Sequence, residues 1–77
     1  MKEQLREYIK KHMIKDARYP LKDDESLIKG GLVDSFSLVE LALFIEEQFG
    51  AHFDDPELTK DNMDTLNLIV ANIEAKL

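Results

Sequence analysis

The sequence predicts an all-α bundle of three longer helices and one short helix, with a long loop between the first and second. Two observations carry that prediction. Apolar residues recur at three- and four-residue steps in three separate stretches, and helix-start and helix-stop residues mark their ends. With 44% hydrophobic against 34% charged residues over 77 positions, the chain is too apolar for a disordered acidic tail. It is long enough for one domain, 1–77, with a small core of its own.

From Lys2 to about Lys15, Leu5, Tyr8, Ile9, His12, Met13 and Ile14 recur at helical spacing with Lys, Arg and Glu between them, the pattern of an amphipathic helix. Pro20 disfavours helix at Tyr19, and Asp16 to Asp34 holds Pro20, Asp23, Asp24, Ser26, Gly30 and Gly31 among isolated apolar residues. This stretch reads as a long ordered loop pinned to the core by Leu21, Leu27, Ile28 and Leu32. Asp34 is placed to cap a second helix from Ser35 to Phe49, and Gly50 to close it in a left-handed conformation.

In that helix Leu38, Leu41, Ala42, Ile45 and Phe49 share one face, whereas Phe36, Glu40, Leu43 and Glu47 share the other. The second face mixes exposed apolar side chains with carboxylates, which reads either as a solvated surface or as a docking surface for a protein with basic patches. Ala51 to Asp55 is an extended connection with Phe53 pointing inward. Thr59 caps a one-turn helix over Lys60 to Met63, and Asp64 or Thr65 caps a last helix whose Leu66, Ile69, Val70, Ile73 and Leu77 keep the apolar period.

Composition narrows the function. Ten Lys and Arg against 16 Asp and Glu give a net charge of −6, which disfavours nucleic acid and anionic lipid and favours basic protein surfaces. There is no cysteine, so the chain has no thiol, disulfide or zinc–thiolate site of its own. The N-terminal residues alternate in charge and do not resemble a signal peptide, and no stretch is long enough for stable membrane insertion; a cytoplasmic monomer is expected. His12 and His52 are the only candidate bases and have no sequence partner to activate them, so both read as structural or solvated and the chain as a non-enzyme. Asp23-Asp24-Glu25 and Asp54-Asp55-Glu57 lack the spacing of a calcium loop, so no metal site is expected. Gly30-Gly31 lacks the Lys-Ser or Lys-Thr of a phosphate-binding loop and reads as a turn.

Ser35 stands apart. A serine at the first helical position after a long loop is exposed, beside backbone N–H groups that would welcome an attached phosphodiester. Many helices begin with Asp-Ser for capping alone, so the pair by itself also fits an interaction module in which Ser35 is only part of a cap.

The stretch Gly31-Leu32-Val33-Asp34-Ser35-Phe36-Ser37-Leu38-Val39-Glu40-Leu41 resembles the 4′-phosphopantetheine attachment motif of acyl carrier proteins, in which Asp-Ser opens the second helix and a Val-Glu-Leu triplet follows one turn later. Glu46-Glu47-Gln48-Phe49-Gly50, Phe53 and Leu58 to Leu66 continue the resemblance over nearly the whole chain. The resemblance implies an acyl-carrier-like bundle with phosphopantetheine, donated by coenzyme A, attached to Ser35 by a phosphopantetheinyl transferase. The arm would supply the missing thiol. Asp34 would cap the helix and help place metal and coenzyme A in the transferase complex. Glu40, Glu46 and Glu47 would meet basic residues of partner enzymes, and Phe36, Val39 and Leu43 would add apolar contacts. The main functional expectation is an acyl carrier, shuttling thioesters between a loading ligase and downstream enzymes of fatty-acid or specialised-metabolite biosynthesis. The alternative is an aminoacyl or D-alanyl carrier loaded by an adenylating ligase. Phe36 and Ser37 bear on that choice, because fatty-acid carriers usually have Leu and then Asp there, whereas Gly-Leu-Val-Asp-Ser-Phe is closer to discrete carriers of specialised pathways.

Overall fold

The computed structural model describes residues 1–77. Four helices form in the expected order: α1 (Lys2–Tyr8), α2 (Leu38–Phe49), the single-turn α3 (Lys60–Met63) and α4 (Leu66–Lys76). There is no strand, and no helix is long and apolar enough to cross a membrane.

The first helix runs on without a break beyond α1, but Ile9–Ile14 widens into a π-helical turn. It stops at Lys15, a non-glycine residue with φ 65° and ψ 35°, where the Asp16 N–H donates to the Lys10 carbonyl at 2.8 Å. Leu5 and Ile9 are fully buried. His12, expected on or beside the core face, is exposed instead. In a π turn each residue rotates the chain by less than in an α-helix, so a residue three places after Ile9 swings away from Ile9's direction and one four places later lies closer beneath it. Met13 accordingly packs against the core.

The loop from Asp16 to Asp34 is ordered by anchors of two kinds. Leu21, Leu27 and Val33 are buried, with Ile28 and Leu32 packed partly against the core. Polar bonds fix the loop at its centre. Asp64, expected as a possible helix cap, is buried and reaches across to the loop: its Oδ1 accepts from the Ile28 and Lys29 N–H groups at 2.9 Å each, and its Oδ2 from the Ser26 hydroxyl at 2.7 Å. The Leu27 N–H adds a bond to the Asp64 carbonyl at 2.6 Å. Gly30 is required by space, because a Cβ there would lie 2.3 Å from the Ser26 carbonyl oxygen.

Acids of the two clusters that lack calcium-loop spacing make local bonds. Asp23 pairs with Lys2 and Arg6, and Glu25 accepts from the Tyr19 hydroxyl. Glu57 accepts from the Asp54 N–H in a capping box that starts a 3₁₀ turn over Asp55–Glu57, at the end of the extended connection and in residues that no sequence pattern assigns to an element. Glu57 also takes the Lys76 ammonium at 2.7 Å, which ties the end of α4 to this turn.

Helix α2 buries Leu38, Leu41 and Ile45, with Ala42 and Phe49 partly covered, as its period predicts. Gly50 ends it with φ 74°. Thr59 and Thr65 cap α3 and α4 through their hydroxyls, so Thr65 rather than Asp64 is the last cap. Leu66, Ile69 and Ile73 complete the core, whereas Leu77, expected to keep the apolar period of that helix, lies past its last turn and is 70% exposed.

Candidate functional site

The site is the start and outer face of α2. Asp34 has extended backbone and its Oδ1 accepts the Phe36 N–H at 3.0 Å, which makes it the cap predicted from sequence. Ser35–Ser37 then form one 3₁₀ turn before the α-helix begins at Leu38. The helix start is therefore less electropositive than expected: the Phe36 and Ser37 N–H groups are taken by the Asp34 side chain and carbonyl, and the Leu38 N–H by the Ser35 carbonyl. Ser35 itself is exposed, and its hydroxyl takes no part in the cap. An exposed primary alcohol on a turn fixed by its neighbour is sterically ready to bear a phosphodiester, and phosphopantetheine fits there.

From this point the outer face runs along α2. Phe36 is 84% exposed, and Val39 and Leu43 are each 57% exposed, so the fold leaves most of their apolar surface in water. Glu40, Glu46 and Glu47 are exposed beside them. The six residues expected to form a docking face thus share one surface.

Leu43 stands between two clefts that the sequence did not reveal. On one side a cleft of about 180 Å³ is lined by Val39, Ala42, Leu43, Phe53 and Leu58, with Glu46, His52 and Asp55 beside them. His52 bridges two acids, with Nδ1 2.5 Å from Glu46 and Nε2 3.1 Å from Asp54. Both ring nitrogens face carboxylates, an arrangement that asks for two N–H donors, and Glu46 and then Asp54 push the imidazole pKa above its ordinary value. His52, read as structural or solvated, is exposed and joins the last turn of α2 to the connection that follows.

On the other side a cleft of about 350 Å³ is lined by Tyr8, Glu40, Leu43, Phe44 and Glu47. The Tyr8 ring stacks on Phe44 with centroids 4.0 Å apart and 16° between planes, while His12 packs against Tyr8 at 4.8 Å. Burial raises the Tyr8 phenol's pKa, and the charges of Glu40 and Glu47 raise it further. Tyr8 is the site residue that sequence reasoning placed only in the core. Its pairing with Phe44 joins positions distant in the chain, for which one sequence holds no signal.

No group of three or more His, Cys, Asp or Glu side chains is placed to hold a metal ion.

Comparison with known proteins gives this geometry a family. The chain is 35% identical over 52 residues to the D-alanyl carrier proteins of Leuconostoc citreum (strain KM20) and Lactobacillus acidophilus; that segment is 68% of this chain and 67% and 66% of theirs. It is 37% identical over 51 residues to the D-alanyl carrier protein of Lacticaseibacillus casei (strain BL23), 66% of this chain and 63% of that one. The matched segments thus span about two thirds of each relative. No family model matches, and no solved structure does. An all-helical bundle, an Asp-capped serine at the head of its second helix, and relatives named as carriers agree: the chain belongs to the acyl carrier protein family, as a non-catalytic carrier of the phosphopantetheine-binding type.

Proposed function

We propose that the chain is an aminoacyl carrier, with D-alanine as its cargo, and that Ser35 bears the phosphopantetheine arm. The single observation that carries the cargo is the name shared by its relatives, all D-alanyl carrier proteins. This puts the alternative in place of the main expectation of acyl intermediates in fatty-acid or specialised-metabolite biosynthesis, in keeping with Phe36 and Ser37 where fatty-acid carriers usually have Leu and Asp.

The division of labour follows from the residues. The chain has no cysteine, and the attached arm supplies the thiol that holds an aminoacyl group as a thioester. Asp34 holds the turn, so that the Ser35 hydroxyl faces solvent and a transferase. An adenylating ligase activates the amino acid with ATP and loads it. Phe36, Val39 and Leu43 give apolar contact with each partner, while Glu40 and Glu47 steer basic surfaces towards it. Small, electrostatically steered interfaces form and release quickly, as a shuttle requires. A monomer leaves that face free, and loading from coenzyme A and ATP places the work in the cytoplasm.

Intact mass spectrometry tests the reading in two steps. Incubation with coenzyme A, magnesium and a broad-specificity phosphopantetheinyl transferase should add one phosphopantetheine to the wild type and none to Ser35→Ala. The product, given ATP, a D-alanine-activating ligase and D-alanine, should gain one alanyl group, and with fatty acids and an acyl ligase it should gain none. Modification without D-alanine loading refutes the cargo. Absence of modification on folded protein refutes the carrier role of Ser35.

A further inference from the structure

The smaller cleft beside Leu43 has α2 as one wall and the connection from Ala51 to Leu58 as the other. Ala51, His52 and Phe53 neither donate nor accept a backbone hydrogen bond. They follow Gly50, whose φ of 74° turns the chain out of α2, and they precede the capping box that fixes Asp54 to Glu57. Two kinds of contact hold them in place. The Ala51 and Phe53 side chains are buried, and the His52 imidazole meets Glu46 of α2 with one nitrogen and Asp54 with the other. His52 is thus the one polar tie between this stretch and α2.

Charge makes that tie conditional. Glu46 from α2 and Asp55 from the 3₁₀ turn line the cleft on opposite walls, Asp54 lies beside them, and Glu57 feels the charge of His52 as well. Lys76 of α4 is occupied, with its ammonium 2.7 Å from Glu57 and 4.7 Å from the centre of the Phe53 ring, so protonated His52 is the only cation lining the cleft. An imidazolium donates to Glu46 and Asp54 at once, whereas a neutral imidazole has one N–H and turns a lone pair towards the second carboxylate. It also leaves Glu46 and Asp55 repelling each other across the cleft. We infer that His52 is a proton-operated clasp on the smaller cleft: charged, it holds the Ala51–Leu58 wall against α2, and neutral, it lets that wall swing about Gly50 and widen the cleft. The lining is apolar, from Val39, Ala42, Leu43, Phe53 and Leu58, so access to it follows pH. Glu46 and then Asp54 raise the imidazole's pKa, which places the change above the ordinary histidine value of about 6.5. An exposed ion pair shifts such an equilibrium by about fivefold at most. The wall therefore loosens and stays attached through Ala51, Phe53 and the Glu57–Lys76 pair. The clasp belongs to the unmodified chain and is independent of Ser35 and its cargo.

NMR relaxation dispersion at the Val39, Leu43 and Leu58 methyl groups and the Phe53 ring tests the clasp in the full, unmodified chain, because it reads the population of an open state exchanging in microseconds to milliseconds. Between about pH 5 and about pH 9, which bracket the ordinary histidine value, that population should rise by up to about fivefold. Its midpoint should coincide with the titration of the His52 ring followed in the same samples. His52→Gln offers an unchanging neutral donor and should abolish the rise. Glu46→Gln removes the partner on α2 while His52 still titrates against Asp54, and it should give an open population that is high at low pH and nearly flat above it. Exchange at the Leu5 and Ile73 methyl groups of the core should not change with pH. An open population that stays constant, or undetected, while His52 titrates overturns the clasp. So does an undiminished rise in His52→Gln, or a rise that the core methyl groups share. Neither transferase nor ligase enters the experiment, so its failure is distinct from failure of the carrier reading.

Discussion

Replacing Asp64 by alanine should be among the most damaging single changes in this chain, although Asp64 lies in none of its helices. Its carboxylate accepts three hydrogen bonds, from Ser26 Oγ at 2.7 Å and from the Ile28 and Lys29 N–H groups at 2.9 Å. A hydrogen bond to a charged group contributes roughly 1.5–3 kcal/mol net. Lys29 is exposed, so water can replace its lost partner, and the Ser26 hydroxyl can rotate; the half-buried Ile28 N–H has less recourse. Discounting the sum accordingly leaves a loss of about 3 kcal/mol for Asp64→Ala. A domain of this size has roughly 4–12 kcal/mol in total. Asp64→Asn keeps an acceptor for both N–H groups and an amide for Ser26, so it should lose only about 1 kcal/mol. With a urea m value of about 1 kcal/mol/M, the midpoints should fall by roughly 3 M and 1 M. Amide exchange should speed up at Ile28 and Lys29 ahead of the helices. The sign of the pH dependence follows from the same bonds. Burial pushes the Asp64 pKa up, but the Ser26 hydroxyl and the Lys29 and Ile28 N–H groups outweigh it and hold the carboxyl below its ordinary value. Its contribution is therefore present above the unfolded carboxyl's pKa of about 3.9 and is lost as pH falls through the lower folded value. An Asp64→Ala midpoint within about 0.5 M of wild type, or equal midpoints for the two variants, would refute this account.

His52 gives the opposite sign. Glu46 and then Asp54 raise its pKa, so the stability it contributes is full below the unfolded histidine value of about 6.5 and declines as pH rises through the folded one. Its NMR titration midpoint should exceed that of free histidine and fall back in Glu46→Gln, and urea midpoints of His52→Gln should vary less between pH 6 and 9 than those of wild type; a wild-type titration at the free value sinks the bridge. Lys15→Gly should raise stability by about 0.5–1 kcal/mol, because Lys15 sits at φ 65°, where a Cβ is disfavoured. A lower urea midpoint would show that the left-handed turn is not what limits that helix end.

What the sequence made legible is what depends on neighbours in the chain. The buried stripe of α2, the Asp34 and Thr59 caps and the Gly50 stop are local patterns, each found where the pattern puts it, and Thr65 is one of the two caps the pattern leaves open for α4. The widened turn at Ile9–Ile14, the loop anchor at Asp64 and the Tyr8–Phe44 stack are not local. Asp64 shows why: an acid before a helix has the same sequence signature whether it caps that helix or bonds a loop 36 positions earlier, and only the chain's path decides.

At Asp34-Ser35 the capping role falls to one residue alone. A helix start needs one side-chain acceptor, and Asp34 provides it to the Phe36 N–H, while the Ser35 hydroxyl faces solvent. Local stability therefore sets no requirement for serine at position 35, where an alanine would preserve the turn. Stability likewise gives no reason for Phe36, Val39 and Leu43 to remain exposed on the same surface. The residues the fold does not need begin at Ser35 and run along one face of α2, which is where the proposed attachment and docking roles require them.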